Sequence, residues 1–366
     1  MWVLGVLVLF FAAICFILLP PSMGVINPIL DEEGNEVKGS ISEKTVIDVN
    51  GTQLGIILLG KSQNKPVLLF LGGGPGIPEY FLEYQYPSHL EEEFVVCYLD
   101  YRGTVRSYSS KVDQSTMTTE QYIDDVAGVT KYLCQRFGQE KVYLMAHSFG
   151  TYIGLNTINL YPELFHAYIP ISQMCNQKES EIIAYDYMLE HYRQVGDKNK
   201  INSLTSYHIR ESESDYENYR NSMARDSSMH ELGIGTMRNM HSVMTGICFP
   251  SLKCTAYTPK ERINIYVGMM FARKTQVAKD AWNFNAFEKI KKVKVPVYFL
   301  AGEYDYTCCY ELQKRYFDQL LAPEKRFYSF KNSAHSPLFE ENEKAMDILR
   351  KDILKLPAKR LSDGNR

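Results

Sequence analysis

The sequence predicts an α/β fold in which a mostly parallel sheet is flanked by helices and interrupted by a helical insertion. Two continuous apolar runs, 67–71 and 94–99, are typical of strands buried on both faces, as in a parallel sheet. Strand and helix signals alternate in the first and last parts of the chain, whereas the part between them is dominated by long helical patterns. We therefore expect a core built from 40–174 and 291–358, with a helical cap at 175–290.

The core begins with a predicted hairpin, because strand patterns at 45–49 and 54–59 flank Asn50 and Gly51, the strongest short hairpin signal. A helix is predicted over 119–137, where apolar residues recur at helical spacing. The remaining elements expected in the core are strands at 141–145, 167–171, 295–300 and 325–330, and helices at 310–321 and 341–354.

Composition excludes several function classes. The chain has 366 residues, 45% of them hydrophobic, and a formal net charge of -3 with both signs mixed along it, so we expect no nucleic-acid partner. Its 8 cysteines show no C-x-x-C or Cys/His cluster of zinc spacing, and we expect neither a metal site nor a cofactor. The cysteines are interpreted as small buried apolar residues, although Cys248 and Cys254 would be able to pair in an oxidising compartment.

The N-terminus is predicted to be a membrane anchor, segment 1–22. Residues 2–19 form an apolar run without a charge, ended by two prolines, and this length is just enough to cross a bilayer as a helix. The run has neither the basic start nor the small-x-small site of a cleaved signal peptide. A lipidated Cys15 and a core helix are the less favoured alternatives. We expect a single span with the folded domain outside the cytoplasm.

Ser148 is the strongest candidate catalytic residue. It lies in 146–150 (AHSFG), directly after the apolar run 141–145, so a strand ends on a serine that starts a helix. Small neighbours permit the sharp turn that projects a nucleophilic serine from a sheet edge. Ala146 stands where this pattern has glycine, whereas Gly150 is retained. We expect Ser148 to be the nucleophile of a serine hydrolase.

Candidates for the other catalytic groups follow two late strands. In hydrolases built around such a turn the chain order is serine, acid, histidine. Asp305 lies in the loop after the strand at 295–300, and His335 lies in the loop after the last strand. We expect His335 to act as the base and Asp305 to orient it. Glu303 is the alternative acid, and His147 is expected to pack within the turn.

A glycine run is the candidate oxyanion hole. Residues 72–76 (GGGPG) follow the strand at 67–71, and glycines let backbone N–H groups approach a substrate oxygen. The expected donors are the N–H groups of Gly73 and Phe149. A phosphate cradle is disfavoured because the chain lacks the G-x-x-x-x-G-K-[ST] pattern.

Together these motifs resemble the proline iminopeptidase-type α/β-hydrolases, a serine hydrolase family. The family motifs correspond here to 72–76, 100–107 (DYRGTVRS), 146–150, Asp305 and His335. The resemblance covers roughly 45–174 and 295–354, and it implies the α/β-hydrolase fold with a helical cap. It also implies removal of N-terminal residues, often proline, from short peptides.

Three departures from the family pattern bear on specificity. Gly72 replaces a histidine, Val105 replaces a glycine and Ala146 replaces the glycine of the turn. We expect catalysis to survive them, with an esterase or lipid-ester hydrolase as the alternative to an aminopeptidase. A non-catalytic binding protein is disfavoured because the catalytic residues are all present. Carboxylates of the cap that are candidates for holding a substrate ammonium are Glu179, Glu181, Asp186, Glu190, Glu211, Glu213, Asp215 and Glu217.

Overall fold

An eight-stranded sheet organises the computed structural model, which describes residues 21–355. Its spatial order is β1-β2-β4-β3-β5-β6-β7-β8. β1 pairs antiparallel with β2 and β2 antiparallel with β4, whereas the pairings from β4 to β8 are parallel. The predicted mostly parallel sheet is confirmed. The strands are β1 (Ile41–Val49), β2 (Thr52–Gly60), β3 (Val67–Leu71), β4 (Val95–Leu99), β5 (Val142–His147), β6 (Phe165–Ile171), β7 (Val297–Gly302) and β8 (Lys325–Phe330).

Helices separate and follow these strands in the described part of the chain. In the described part of the chain, α4 to α11 all lie between β6 and β7, in the stretch for which a helical cap is predicted. The helices are α1 (Tyr80–Gln85), α2 (Thr119–Phe137), α3 (Phe149–Leu160), α4 (Gln177–Val195), α5 (Lys198–Thr205), α6 (Glu213–Arg220), α7 (Met223–Glu231), α8 (Phe249–Lys253), α9 (Pro259–Ala272), α10 (Gln276–Asn283), α11 (Ala286–Lys289), α12 (Tyr310–Gln319), α13 (Pro337–Glu340) and α14 (Asn342–Ile348).

Local signals explain why individual predictions hold. The hairpin forms because Asn50 and Gly51 both adopt positive φ, 48° and 72°, as a two-residue type I′ turn requires. Helix α2 begins where Thr118 accepts a hydrogen bond from the Gln121 N–H, and it ends where Gly138 adopts a left-handed conformation.

Both faces of the sheet are covered. Successive residues of β3 alternate between two apolar clusters, with Leu69 and Leu71 in one and Leu68 and Phe70 in the other. Because side chains of a strand point alternately to opposite faces, each cluster lies on its own side of the sheet. Parallel strands that are buried in this way carry continuous apolar runs.

The helices α4 to α7 contribute a third apolar cluster. It includes Tyr185, Tyr192 and Tyr219, so aromatic residues of this segment pack against one another. Tyr187 is instead 37% exposed, and its ring centroid lies 4.4 Å from that of Tyr306, in the loop that follows β7.

The predicted membrane anchor lies almost entirely outside the described residues. Within 21–355, the helices are all too short or too polar to cross a membrane.

Candidate active site

Ser148 lies at a strained turn between β5 and α3. Its φ and ψ are 55° and -124°, a region that residues with a Cβ seldom adopt. The turn is held because the Ser148 N–H donates to the Ile171 carbonyl at 3.1 Å. The hydroxyl and the N–H of Thr151 both donate to the Ser148 carbonyl, at 2.6 and 2.8 Å. The geometry is that of the predicted strand–turn–helix element.

The glycine-rich loop after β3 passes beside this serine. A Cβ built on Gly73 would lie 3.7 Å from the Ser148 Oγ. Phe149 is the first residue of α3, and the first N–H groups of a helix have no partner within it. The structure therefore places both predicted N–H donors next to the predicted nucleophile.

His335 and Asp305 form a close buried pair. The His335 Nδ1 lies 3.0 and 3.1 Å from the two carboxylate oxygens of Asp305, which is fully buried. Asp305 also accepts hydrogen bonds from the Cys308 N–H and the Gln313 Nε2. Burial by itself raises the pKa of Asp305, but the charge and hydrogen bond of His335 outweigh it and lower this pKa below its ordinary value. Glu303, the alternative acid, is exposed.

The loop that carries Asp305 and the loop that carries His335 touch because residue 302 is a glycine and has no side chain. β7 and β8 are parallel neighbours, so the loops after them leave the same edge of the sheet. A Cβ built on Gly302 would lie 1.9 Å from the Ala334 carbonyl oxygen. Only glycine permits this approach, which brings Asp305 and His335 into contact.

His147 connects the serine turn to the histidine loop. Its Nε2 lies 2.8 Å from the His335 carbonyl oxygen, and its Nδ1 lies 2.8 Å from Oε1 of Glu79. Burial favours the neutral ring, but the Glu79 carboxylate outweighs it and raises the pKa of His147. The sequence indicated that His147 packs within the turn, but it gave no sign of Glu79.

Glu340 fixes the histidine loop from the other side. Its Oε1 accepts hydrogen bonds from the N–H groups of Ala334 and Ser336, at 2.9 and 3.3 Å, and its Oε2 accepts one from the Arg238 N–H at 2.6 Å. Burial raises the pKa of Glu340 to about 7, although these N–H donors oppose the rise. Glu340 therefore joins the His335 loop to the segment between β6 and β7.

The DYRGTVRS segment is a structural motif beside the site. Two bonds of 2.8 Å join the Arg102 guanidinium to Asp125, and the Arg106 Nε lies 2.8 Å from Asp100. All four side chains are buried. Val105, where the family pattern has glycine, adopts a φ of 44°, so the conformation that glycine favours is retained with a valine. These residues shape the loop rather than supply catalytic groups.

Many of the candidate carboxylates of the cap already have cationic partners. Glu181 is buried and receives two hydrogen bonds from Arg225, at 2.8 and 2.6 Å. The other ion pairs are Glu179 with Arg315, Asp186 with Arg210, Glu213 with Lys178 and Glu217 with Arg220.

Residues 21–355 contain neither a metal-binding cluster nor a disulfide. In 21–355 no group of three or more His, Cys, Asp or Glu side chains is arranged to hold a metal ion. The seven cysteines within these residues are free thiols, including Cys248 and Cys254.

Comparisons with known proteins agree with this architecture. The sequence pattern of the alpha/beta hydrolase fold matches residues 66–342. The Probable aminopeptidase YbaC of Bacillus subtilis (strain 168) is 31% identical over 311 residues, which are 83% of this chain and 94% of that protein. A proline iminopeptidase-related protein of Thermus thermophilus superimposes with a TM-score of 0.55 at 17% identity, covering 85% of this chain and 98% of that one. The proline iminopeptidase of Mycobacterium smegmatis superimposes with a TM-score of 0.57 at 14% identity, covering 84% of this chain and 96% of that one.

The two kinds of similarity carry different weight. The solved structures share the fold at low identity, whereas the family pattern and the bacterial relative span most of the chain. The resemblance inferred from the motifs is confirmed at this level. The chain belongs to the α/β-hydrolase fold family and is a hydrolase.

Proposed function

We propose that this hydrolase is a serine enzyme in which Ser148, His335 and Asp305 form the catalytic triad. The observation that carries the proposal is the buried contact of the His335 Nδ1 with both Asp305 oxygens, at 3.0 and 3.1 Å. A histidine held in this way by a carboxylate presents its other nitrogen as a base. Ser148 supports the assignment because its strained turn is joined to the same histidine loop through His147.

The proposed reaction proceeds through an acyl-enzyme. The Ser148 Oγ attacks the substrate carbonyl carbon while the His335 Nε2 takes its proton, and the N–H groups of Gly73 and Phe149 stabilise the oxyanion. His335 then returns the proton to the departing amine or alcohol. Water releases the acyl group by the same steps, with His335 again as the base. The lowered pKa of Asp305 keeps it ionised, so it stabilises the imidazolium.

The favoured substrate class is the N-terminal peptide bond of short peptides. The relative that is 31% identical across 94% of its own length bears the name of a probable aminopeptidase. The motifs at 72–76, 100–107 and 146–150 point the same way. This chemistry needs a carboxylate near the site to hold the substrate ammonium.

A carboxylesterase or lipid-ester hydrolase is the second candidate, and the ion pairs of the cap favour it. Glu181 is held by two hydrogen bonds from Arg225, and four other candidate carboxylates also have cationic partners. A substrate ammonium that binds one of these five carboxylates would have to displace its cation, whereas an ester substrate makes no such demand.

The location proposed for the enzyme is a membrane. The apolar run 2–19 is long enough to span a bilayer as a helix and would hold the enzyme there with one segment. The catalytic domain is proposed to lie outside the cytoplasm.

An active-site probe tests the triad and the substrate class together. Full-length protein in mild detergent is treated with a fluorophosphonate, alongside Ser148→Ala and the matched control Ser203→Ala, which changes an exposed serine. We expect labelling of the wild type and the control but not of Ser148→Ala. Turnover of proline arylamide supports the aminopeptidase, and turnover of short acyl esters alone supports the esterase. Failure to label folded wild-type protein would refute the serine mechanism.

A further inference from the structure

Helix α9 carries an exposed apolar stripe. Its buried face is formed by Arg262, Ile265, Gly268 and Ala272. On the other face Ile263, Val267 and Met270 are 49%, 38% and 59% exposed, and their spacing of four and three residues places them in one line along the helix. We call these three residues the α9 stripe.

Cationic side chains stand at both ends of the stripe. Lys260 lies one turn before Ile263, and Lys274 lies four residues after Met270; both are exposed. The acidic residue of this helix, Glu261, is paired with Lys44 at 2.9 Å. An apolar stripe with lysines at its ends suits a bilayer interface. The apolar side chains enter the acyl region there, and the lysine ammonium groups reach the lipid phosphates.

The chain approaches α9 from the apolar N-terminal run. The Ser22 hydroxyl donates to the Thr255 carbonyl, and the backbone of Gly24 passes against Thr258, the N-cap residue of α9. Met23 and Val25 are 87% and 64% exposed beside this contact.

Few residues separate the apolar run 2–19 from the contact that Ser22 makes just before α9. Leu19, the last residue of the run, is three positions before Ser22. Three residues span at most about 10 Å. A bilayer that receives the run therefore lies close to the beginning of α9.

The opposite face of α9 packs on the loops of the candidate active site. A Cβ built on Gly268 would lie 2.8 Å from the Thr104 Cα, and one built on Gly76 would lie 3.3 Å from the Met269 Cα. Gly76 belongs to the glycine run that follows β3. The α9 stripe is therefore about one helix diameter, roughly 10 Å, from the oxyanion loop.

We propose that the α9 stripe docks on the surface of the lipid bilayer that receives the apolar run 2–19. This inference rests on the proposed membrane anchoring, and it adds a second, interfacial contact made by the folded domain. The contact holds the oxyanion loop close to the lipid headgroups. Substrates that partition into the bilayer then reach the site without crossing bulk water.

Depth-dependent fluorescence quenching tests the docking directly. Full-length Val267→Trp is reconstituted in phosphatidylcholine–phosphatidylglycerol vesicles with or without brominated acyl chains, and the parent signal of Trp2 and Trp282 is subtracted. The matched control is Val195→Trp, at a position that is 62% exposed at the end of α4. We expect brominated lipid to reduce the added fluorescence at 267 about twofold and to leave that at 195 unchanged.

Other occupants of the stripe give different results. If the parent Trp2 is quenched but position 267 is not, the anchor inserts without the stripe and the proposal is overturned. Residues 2–19 folded over the stripe, or a second copy of the chain covering it, would also leave position 267 unquenched and would overturn it.

An activity ratio separates this proposal from the proposed hydrolase function. The ratio compares turnover of a long-chain ester dissolved in vesicles with turnover of a soluble short ester. Val267→Glu should lower this ratio about fivefold, whereas the control Val195→Glu should leave it unchanged. An unchanged ratio for Val267→Glu contradicts the docking role. If the wild type turns over neither ester, the esterase proposal fails while the quenching result still decides the docking.

Discussion

Glu79 and His147 form a buried pair that supports the backbone of the candidate catalytic histidine. The His147 ring lies between the Glu79 carboxylate and the His335 carbonyl, 2.8 Å from each, and its centroid lies 5.0 Å from that of His335. A carbonyl oxygen only accepts hydrogen bonds, so the His147 Nε2 must carry a proton. Glu79 raises the pKa of His147 and so favours a second proton, at Nδ1, that is donated to the Glu79 carboxylate.

Replacement of His147 tests this support. His147→Ala removes one of two donors to the His335 carbonyl and leaves the Ser172 hydroxyl as the other. We expect kcat to fall roughly 10- to 100-fold through misplacement of the base. KM should change little because His147 is not proposed to contact the substrate. Steady-state kinetics on whichever arylamide or ester is turned over measures both constants. His208→Ala, which changes an exposed histidine of the cap, should alter neither; an unchanged kcat in His147→Ala would contradict the positioning role.

Replacement of Glu79 tests the charge state of the same ring. Glu79→Gln removes the carboxylate that raises the pKa of His147, while burial, which lowers it, remains. The His147 ring should then lose its second proton at a lower pH than in the wild type. Titration of the His147 Cε1 resonance by NMR measures the midpoint, with Glu91→Gln as the control. The same midpoint in Glu79→Gln would show that Glu79 does not set this pKa.

The Arg102–Asp125 pair should be far more important for stability than a surface pair. Its side chains are 6% and 4% exposed, so Asp125→Ala leaves a buried guanidinium without its carboxylate. We expect a loss of about 3–5 kcal/mol in the free energy of unfolding, measured by urea denaturation. Asp347→Ala, which breaks an exposed pair with Lys351, should cost less than about 0.5 kcal/mol. Equal losses in the two variants would contradict this account.

The sequence predicted the parts of the site that follow strands. Asp305 and His335 were identifiable because each comes after an apolar run, and the carboxyl ends of parallel strands meet at one edge of a sheet. Ser148 was identifiable because its small neighbours mark a strand–turn–helix element. In these cases a local pattern determines where the side chain lies.

Other residues around the site leave no such pattern. Glu79 and His147 are 68 positions apart, and only tertiary packing brings them together. Glu340 lies on a short helix where a carboxylate is usually a solvated residue, so its bonds to the His335 loop could not be predicted. At Val105 the sequence shows only that a glycine is missing, whereas the structure shows that the positive φ is kept.

Glu340 should make stability depend on pH near neutrality. Its pKa is about 7 in the folded protein, against about 4.5 when it is exposed. Between these values the folded state binds the extra proton, so the contribution of Glu340 to stability falls as pH rises from about 4.5 to about 7. Glu340→Gln removes this dependence. Only the wild type loses this contribution as pH rises. The Tm of Glu340→Gln should therefore increase relative to that of the wild type from pH 5 to pH 8.

Thermal unfolding across this pH range checks the Glu340 prediction. Glu343→Gln serves as the control because Glu343 is exposed in the first turn of α14, and its Tm difference from the wild type should stay flat. A flat difference for Glu340→Gln as well would mean that the Glu340 pKa is close to that of an exposed glutamate.

The contact of the acid and histidine loops should fail when residue 302 gains a side chain. The Cβ of Gly302→Ala would lie 1.9 Å from the Ala334 carbonyl oxygen, so the His335 loop must move away from Asp305. We expect kcat/KM to fall by about 100-fold or more. Gly138→Ala is the matched control, because Gly138 has a φ of +63° but no atom within 4 Å of an added Cβ. It should lose about 1 kcal/mol of stability and keep its activity; full activity in folded Gly302→Ala would show that the two loops need not touch for catalysis.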